Sequence, residues 1–362
     1  MNRGFYRAEL HAGRDALAAL RSDHEALFAR AAAGNPFLSP LWVHTWLKEV
    51  GHLNYPVALT LRNGEGQLVA FWPFIEFPAL GGQGLWPLAS DIANIMEPLV
   101  DPADSELPAA VLSHLPLLLE THRYLWLPLF RQDWIDNWLR PALASFANLH
   151  LLRPRNRTFY TQLRQGSWDD YLQAKLGPKS RKSLRYDTKQ LAEQGNVQHQ
   201  VCASADETAA LLPELESIER ESWKGTSNQR HLSHHRLEKF YRRLLPELVA
   251  AGQARVSTLT LDRMAIAFEI GLLAPRYYGL FHVAYLPGHK KHSPGRQLLL
   301  RNLQQCHDEG RTHYDFQQGV YPYKERFADE TMPLHDVLIC QRTLPGRLNY
   351  WLTRLVSRRA RR

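Results

Sequence analysis

No apolar run in the sequence approaches the roughly 20 residues that a membrane-spanning helix requires. The first twenty residues are broken by Arg3, Arg7, Glu9, Arg14 and Asp15, so the apolar centre of a secretory signal is not expected there. Cysteine is scarce as well: Cys202, Cys306 and Cys340 are odd in number and far apart, which excludes a disulfide framework and points to a reduced, cytoplasmic protein. Neither a Gly-x-Ser-x-Gly elbow nor a Walker phosphate loop occurs, which removes the common hydrolase and nucleotide-hydrolysing classes. His231, His234 and His235 cluster without a Cys pair or a His-Glu-x-x-His arrangement, so no metal is expected and the three histidines read as surface residues.

What remains is about two domains' worth of ordinary globular chain. With 362 residues and 44% hydrophobic content it can bury a sizeable core. The net charge of +8 is concentrated at one end, because six arginines (347, 354, 358, 359, 361 and 362) lie in a terminal stretch without an acidic residue. The body is nearly neutral and its basic residues are rarely interleaved with aromatics, so nucleic acid is not an expected partner. In residues 344–362 the apolar positions Leu344, Leu348, Trp351, Leu352, Leu355 and Val356 recur at helical spacing. This tail reads as a basic amphipathic helix, suited either to peripheral contact with an anionic inner-membrane surface or to docking on the protein's own core.

The element pattern divides the chain into similar halves, 1–152 and 153–343, with Arg153-Pro154-Arg155-Asn156-Arg157 as the connector. In the first half Asn63-Gly64-Glu65-Gly66 joins two strand-like runs as a hairpin, and a further strand is expected over 95–100. The second half reads as a strand over 158–163, two helices separated by Gly177-Pro178, and a strand over 197–202. Helices over 206–223 and 233–251 follow, then a three-strand meander over 255–261, 265–273 and 277–285. A helix from Gly295 and strands over 313–316 and 337–342 complete it.

Several residues stand out for their chemistry. After the meander, Lys290-Lys291-His292-Ser293-Pro294-Gly295-Arg296-Gln297 opens a helix, where unpaired N–H groups and the positive end of the dipole suit a cofactor phosphate. Glu269 is a carboxylate inside the apolar run Ala265–Ile270, where burial raises its pKa toward that of a useful base; His282 on the next strand titrates near neutrality and can take the same role. Glu219 and Trp223, one helical turn apart, form either an acceptor wall or a packed face. Lys175, Lys179, Lys182, Arg185 and Lys189 recur every three or four residues, as an anion-binding stripe or a solvated face, with Lys182 and Arg185 as the substrate-binding candidates.

Three short motifs follow in order: Ser293-Pro294-Gly295 with Leu298, Tyr314-Asp315-Phe316-Gln317-Gln318-Gly319, and Tyr323-Lys324-Glu325-Arg326-Phe327. Upstream stand Phe37-Leu38-Ser39-Pro40-Leu41-Trp42, Trp168-Asp169-Asp170-Tyr171-Leu172, Lys179-Ser180-Arg181-Lys182-Ser183-Leu184-Arg185 and Glu219-Arg220-Glu221-Ser222-Trp223-Lys224. Together, over most of residues 35–342, these resemble the cellulose-biosynthesis-type acyltransferases of the GNAT superfamily (the CelD/BcsL group), relatives of the FemAB peptidyltransferases. One departure is the absence of the superfamily's Gln/Arg-x-x-Gly-x-Gly/Ala pyrophosphate loop.

The resemblance implies an α/β (α+β) fold of tandem GNAT-like domains, each a mixed, largely antiparallel central sheet flanked by helices. It implies an N-acyltransferase that moves an acyl group from acyl-CoA, acetyl or longer, to an amine of a polysaccharide, lipid or other cell-envelope precursor. Lys324 would then lie near the active cleft, Tyr323 or Tyr321 would protonate the leaving thiolate, and Asp315 would orient the lysine or the amine, or merely cap its turn. Ser293, Pro294, Gly295, Arg296 and Gln297 would hold the CoA phosphates. Two alternatives stay open: a FemAB-like transferase that uses aminoacyl-tRNA, and a non-catalytic accessory protein of a polysaccharide synthesis machine.

Overall fold

The computed structural model describes residues 6–31, 35–79, 82–146, 148–163, 166–225 and 231–359, with side chains to 354 in the last segment. The chain forms two compact units, one of Met1–Thr158 with Met332–Arg362 and one of Phe159–Thr331.

In the first unit the strands are β1 (Arg7–Ala12), β2 (Pro56–Arg62), β3 (Leu68–Ala79), β4 (Gly82–Pro87), β5 (Leu99–Val100) and β6 (Tyr124–Arg131). Their pairing is antiparallel except where β4 meets β6 in parallel. The β2–β3 hairpin forms where the Asn-Gly signal stands, with Asn63 Oδ1 accepting the backbone N–H groups of Glu65 and Gln67. Trp42, Trp72, Phe71, Phe74 and Phe130 fill the core. The strand expected over 95–100 shrinks to β5, because Trp72 Nε1 donates to the Met96 carbonyl and Asn35 Nδ2 to those of Ile95 and Glu97, so side chains replace the ladder there.

Strand β7 (Leu149–Gln162) runs straight through Arg153–Arg157, and Arg153 is paired 2.6 Å from Asp336. The second unit then adds helices α1 (Trp168–Lys175), α2 (Pro178–Ala192) and α3 (Ala205–Glu221) around strand β8 (Val197–Val201). Ser167 and Asp170 form the expected capping box of α1. Helix α4 (Glu238–Ala250) precedes the meander β9 (Ala254–Leu261), β10 (Met264–Ala274) and β11 (Tyr277–Tyr285); α5 (Pro294–Asp308), β12 (His313–Gln318) and α6 (Pro322–Phe327) follow.

The strand order in this unit is β12-β11-β10-β9-β8. All pairs are antiparallel except β11 with β12, which pair in parallel only from Tyr277↔His313 to Gly279↔Asp315; β11 then runs on, beyond the last pair, to Tyr285. One face of the sheet buries Tyr278, Tyr314 and Phe316 against Leu299, Leu303 and Cys306 of α5.

The last strand, β13 (Glu330–Cys340), was expected to close the second half. It pairs instead with β6 of the first unit, from Leu334↔Arg131 to Cys340↔Tyr124, and buries Leu338 and Cys340 against Tyr124. The cysteines are free, with Cys306 and Cys340 buried and Cys202 half-buried.

Candidate active site

The site begins with an irregularity in β11. Opposite β10, Ile270 pairs with His282 and Gly271 with Leu280, which leaves Phe281 as an extra residue. Such a bulge breaks the two-residue alternation of side chains. Phe281 and His282 therefore both reach the His231 ring, at centroid distances of 5.6 and 4.8 Å.

Helix α3 delivers the second component. It stops at Glu221 because Ser222 is extended (ψ 172°); the Ser222 hydroxyl donates to the Glu219 carbonyl and accepts the N–H of Lys224. Glu219 and Trp223 thus do not share a helical face. Glu219 is fully buried whereas Trp223, past the helix end, is 44% exposed. As an acceptor wall Glu219 is the wrong residue, since its carboxylate is already filled by protein donors.

Those donors are the backbone N–H groups of His231 (2.8 Å) and Ser233 (2.6 Å), the Ser233 hydroxyl (2.6 Å) and His282 Nε2 (2.5 Å). Burial pushes the Glu219 carboxyl up, but the hydrogen bonds and charge that converge on it prevail and hold it well below the usual carboxylate range. His282 is lowered to about 4, first by burial and then by Lys224, against the pull of Glu219. An ionised carboxylate beside a neutral imidazole fixes the tautomer: Nε2–H donates to Glu219, and the Nδ1 lone pair faces Lys224 Nζ at 3.0 Å.

Lys224 is itself buried, and burial lowers its pKa to about 7; Lys324 acts in the same direction and Glu219 opposes it. Its Nζ lies 5.7 Å from the centre of the Trp223 ring, which in turn is 6.0 Å from Tyr321. Lys324 approaches from α6. Its Nζ donates to the carbonyls of Gln317 (3.1 Å) and Gln318 (2.5 Å), lies 5.3 Å from the Tyr321 ring, and is lowered to about 8 by burial, with Asp315 opposing. The turn it clamps contains two left-handed residues, Gln317 (φ 60°) and Gly319 (φ 103°). A side chain on Gly319 would also meet Tyr321 at 2.9 Å, so glycine is required.

Asp315 caps this turn, with Oδ1 accepting the Gln317 N–H at 2.7 Å and Oδ2 the Tyr277 hydroxyl at 3.1 Å. Tyr323 packs at the edge of the α5-side core, stacked 6.1 Å from Tyr321, and burial together with the Glu269 charge raises its pKa. The structure thus gathers Glu219, His282, Lys224, Lys324, Trp223 and Tyr321. Two participants are not evident from sequence. Lys224 closes the Glu219–Lys224 motif, and its only signal there is a cation beside an aromatic. His231 reads as a surface residue, yet its ring lies tilted against that of His282, with Nδ1 3.1 Å from the Tyr241 hydroxyl.

Glu269 does not join them. Strand alternation turns it away from Phe268, whose ring is 5.6 Å from His282, and toward α5. There its Oε1 accepts from the hydroxyls of Tyr278 (2.7 Å) and Tyr314 (2.9 Å). Burial raises its pKa to about 7, as its surroundings in the sequence suggest, with the tyrosines and Asn302 opposing. The carboxylate is fully buried and faces α5, apart from the cluster around Lys224.

At the start of α5 the picture is mixed. Ser293 is left-handed (φ 52°) and is followed by Pro294 and Gly295, so the backbone turns sharply into the helix. Asp187 of α2 accepts the Ser293 hydroxyl at 3.0 Å and the Arg296 guanidinium at 2.7 Å, so the charge of Arg296 is already matched. Gln297 is buried and donates to the His292 carbonyl at 2.9 Å, while Lys290 and Lys291 stay exposed. The cationic stripe is divided: Lys175 pairs with Asp329 at 2.5 Å and Lys189 with Glu193 at 3.8 Å, whereas Lys182 and Arg185 are exposed on α2. Among the described residues no His, Cys, Asp and Glu side chains gather as a metal site.

Comparison with known proteins bears on this geometry. Residues 178–325 match the acetyltransferase (GNAT) domain family, a span that covers α2 through most of α6 and every member of the cluster. No curated protein matches the sequence. Among solved structures, FemX is similar over 87% of this chain and 95% of its own, with a TM-score of 0.59 and 12% identity. The DUF2156 domain assigned to a lysylphosphatidylglycerol synthetase of Agrobacterium fabrum is similar over 92% of this chain and 95% of its own, with a TM-score of 0.56 and 12% identity. L-PGS from Bacillus licheniformis is similar over 83% and 88%, with a TM-score of 0.52 and 13% identity. At such identities the likeness is one of fold. Residues 178–325 thus resemble a GNAT domain, within a mixed α/β architecture of mostly antiparallel strands flanked by helices.

Proposed function

We propose that the second unit is an N-acyltransferase centre in which Lys224 receives the proton of the acceptor amine. The observation that carries this reading is the buried chain Glu219–His282–Lys224, which ends in a lysine with a pKa of about 7 beside a half-exposed tryptophan. Acyl transfer to nitrogen requires a neutral amine and therefore a base poised near neutrality; a positioned base contributes about 10²- to 10⁴-fold. Neutral Lys224 takes one proton from the acceptor's ammonium group. The freed amine attacks the acyl carbonyl, the C–N bond forms, and the bond to the donor's leaving group breaks. The second proton lost by nitrogen balances the departing thiolate, giving an amide and a free thiol. Lys324 is the nearby cation for the oxyanion, and Trp223 with Tyr321 lines the acceptor side.

The donor in this reading is acyl-CoA, with its phosphates at Ser293–Gln297, and the acceptor is an amine of a cell-envelope polysaccharide or lipid precursor. The GNAT match supports the first choice and the sequence resemblance the second. One observation favours another donor, aminoacyl-tRNA, as in the FemAB alternative: the Asp187 carboxylate sits where a pyrophosphate would approach α5. A thermal-shift series with acetyl-CoA, longer acyl-CoAs and free CoA separates the two. A ligand at 100 times its Kd stabilises by about 2.7 kcal/mol. Gly295→Asp, which adds charge at the helix start and crowds Tyr285, is expected to abolish that shift in a folded protein. If no CoA species shifts the unfolding temperature, the acyl-CoA reading is lost.

A further inference from the structure

The C-terminal helix, Leu344–Arg359, docks on its own unit through its less apolar side. Gly346 is buried so closely that a Cβ there would lie 2.1 Å from the Gln341 carbonyl oxygen. Tyr350 packs on the cluster of Tyr124, Leu338 and Cys340, and Asn349 and Thr353 are half-buried beside it. Leu344, Leu348, Trp351 and Leu352 face the other way, at 82%, 48%, 52% and 48% exposure. Their spacing of i, i+4, i+7 and i+8 makes one continuous stripe, roughly opposite the docked residues on a helix of 3.6 residues per turn. A helix adapted only to water and a protein core buries such a stripe. This one displays it.

Arginine borders the stripe. Arg347 is exposed, and the Arg354 guanidinium lies 5.2 Å from the centre of the Trp351 ring. The sequence from 343 to 362 contains six arginines and no acidic residue. Apolar side chains that leave water at the same depth as a row of arginines suit the boundary between lipid headgroups and acyl chains, where long cationic side chains reach back to phosphates. At 16 residues the helix is about 24 Å long, too short to span a bilayer but long enough to lie in its surface.

We infer that this face of the C-terminal helix is a contact surface for an anionic membrane. A second copy of the chain is the poorer occupant, because apposed copies of the stripe would bring like-charged arginine edges together. The inference does not depend on which donor or acceptor the second unit uses.

Co-sedimentation of the full chain with phosphatidylglycerol-rich vesicles and with pure phosphatidylcholine vesicles tests it. Binding is expected to the anionic vesicles at low salt, to weaken at least about tenfold at high salt, and to be lost in Leu348→Glu/Leu352→Glu. Both substitutions are on exposed positions, and circular dichroism checks that the variant is folded. A milder variant, Arg347→Gln/Arg354→Gln, is expected to weaken binding without removing the stripe. Absence of vesicle binding at low salt overturns the inference, as does equal binding to neutral vesicles or an unaffected Leu348→Glu/Leu352→Glu variant. A dimer by light scattering that this variant splits, without vesicle binding, assigns the face to a second copy and also overturns it.

Discussion

Nζ of Lys224 lies 3.0 Å from Nδ1 of His282, and the same imidazole reaches a fully buried carboxylate, Glu219, through its other nitrogen. Burial, with Lys324 acting in the same direction and Glu219 opposing, turns this lysine into a group that loses its proton near pH 7. His282 does not itself become the base: its Nε2–H is committed to Glu219, and with a pKa near 4 it stays neutral across the physiological range. In the proposed mechanism it holds the lysine, and the lysine is the group that exchanges the proton.

Lys224→Met is therefore expected to lower turnover by at least about 100-fold. Wild-type kcat/KM should rise with pH through about 7, as Lys224 becomes neutral. Stability reports the same group independently. The unfolded lysine titrates near 10.4, so between about 7 and 10.4 the unfolded chain binds the extra proton, and wild-type stability from this residue rises with pH across that window. Methionine removes the dependence. Urea unfolding at several pH values should show the variant gaining on the wild type as pH falls from about 10 to about 7; an active variant would end the assignment.

Glu219→Gln tests the other end of the relay. The folded carboxyl is held below its unfolded value of about 4.3, so its stabilisation is fully present above that pH and is lost as pH falls through the folded value. At pH 7 the glutamine leaves the donors of His231, Ser233 and His282 short of a charged acceptor, at a cost of about 3–5 kcal/mol. Chemical unfolding at pH 7 and at pH 3 should show this gap narrowing in acid. A gap that does not change with pH would mean that Glu219 is not ionised in the native protein.

Much of the second unit was legible in its sequence, and the reason is periodicity. The meander over β9, β10 and β11 and the helix opening at Pro294 come from alternation and turn residues that tertiary structure did not override. The relay was only partly legible. Alternation in Ala265–Ile270 shows that Glu269 and Phe268 face opposite ways, but not which face meets α3. His282 reaches the His231 ring together with its neighbour Phe281 because a bulge sits there, and bulges leave no reliable mark in one sequence. Lys224 is hidden when α3 is continued to Trp223; Ser222 ends the helix and swings the lysine inward. The strand β13 was legible as a strand over 337–342 but its pairing was not, since its apolar run suits either sheet and only its partner β6 decides.

Glu269→Gln separates a sealed core carboxyl from a base. The folded pKa of about 7 lies above the unfolded value of about 4.3, so the native state binds the extra proton between these limits. The stability this group contributes is fully present below about 4.3 and is lost as pH rises to about 7; above that, the folded protein carries the whole cost of a buried charge. Glutamine keeps the shape and can still accept from Tyr278 and Tyr314, without the charge. The variant should therefore unfold at a higher temperature than the wild type at pH 8, with an advantage that shrinks toward pH 5, and its turnover should stay within a few-fold. Turnover reduced by about 100-fold or more, with stability no better at pH 8, would return Glu269 to the reaction and displace Lys224 from it.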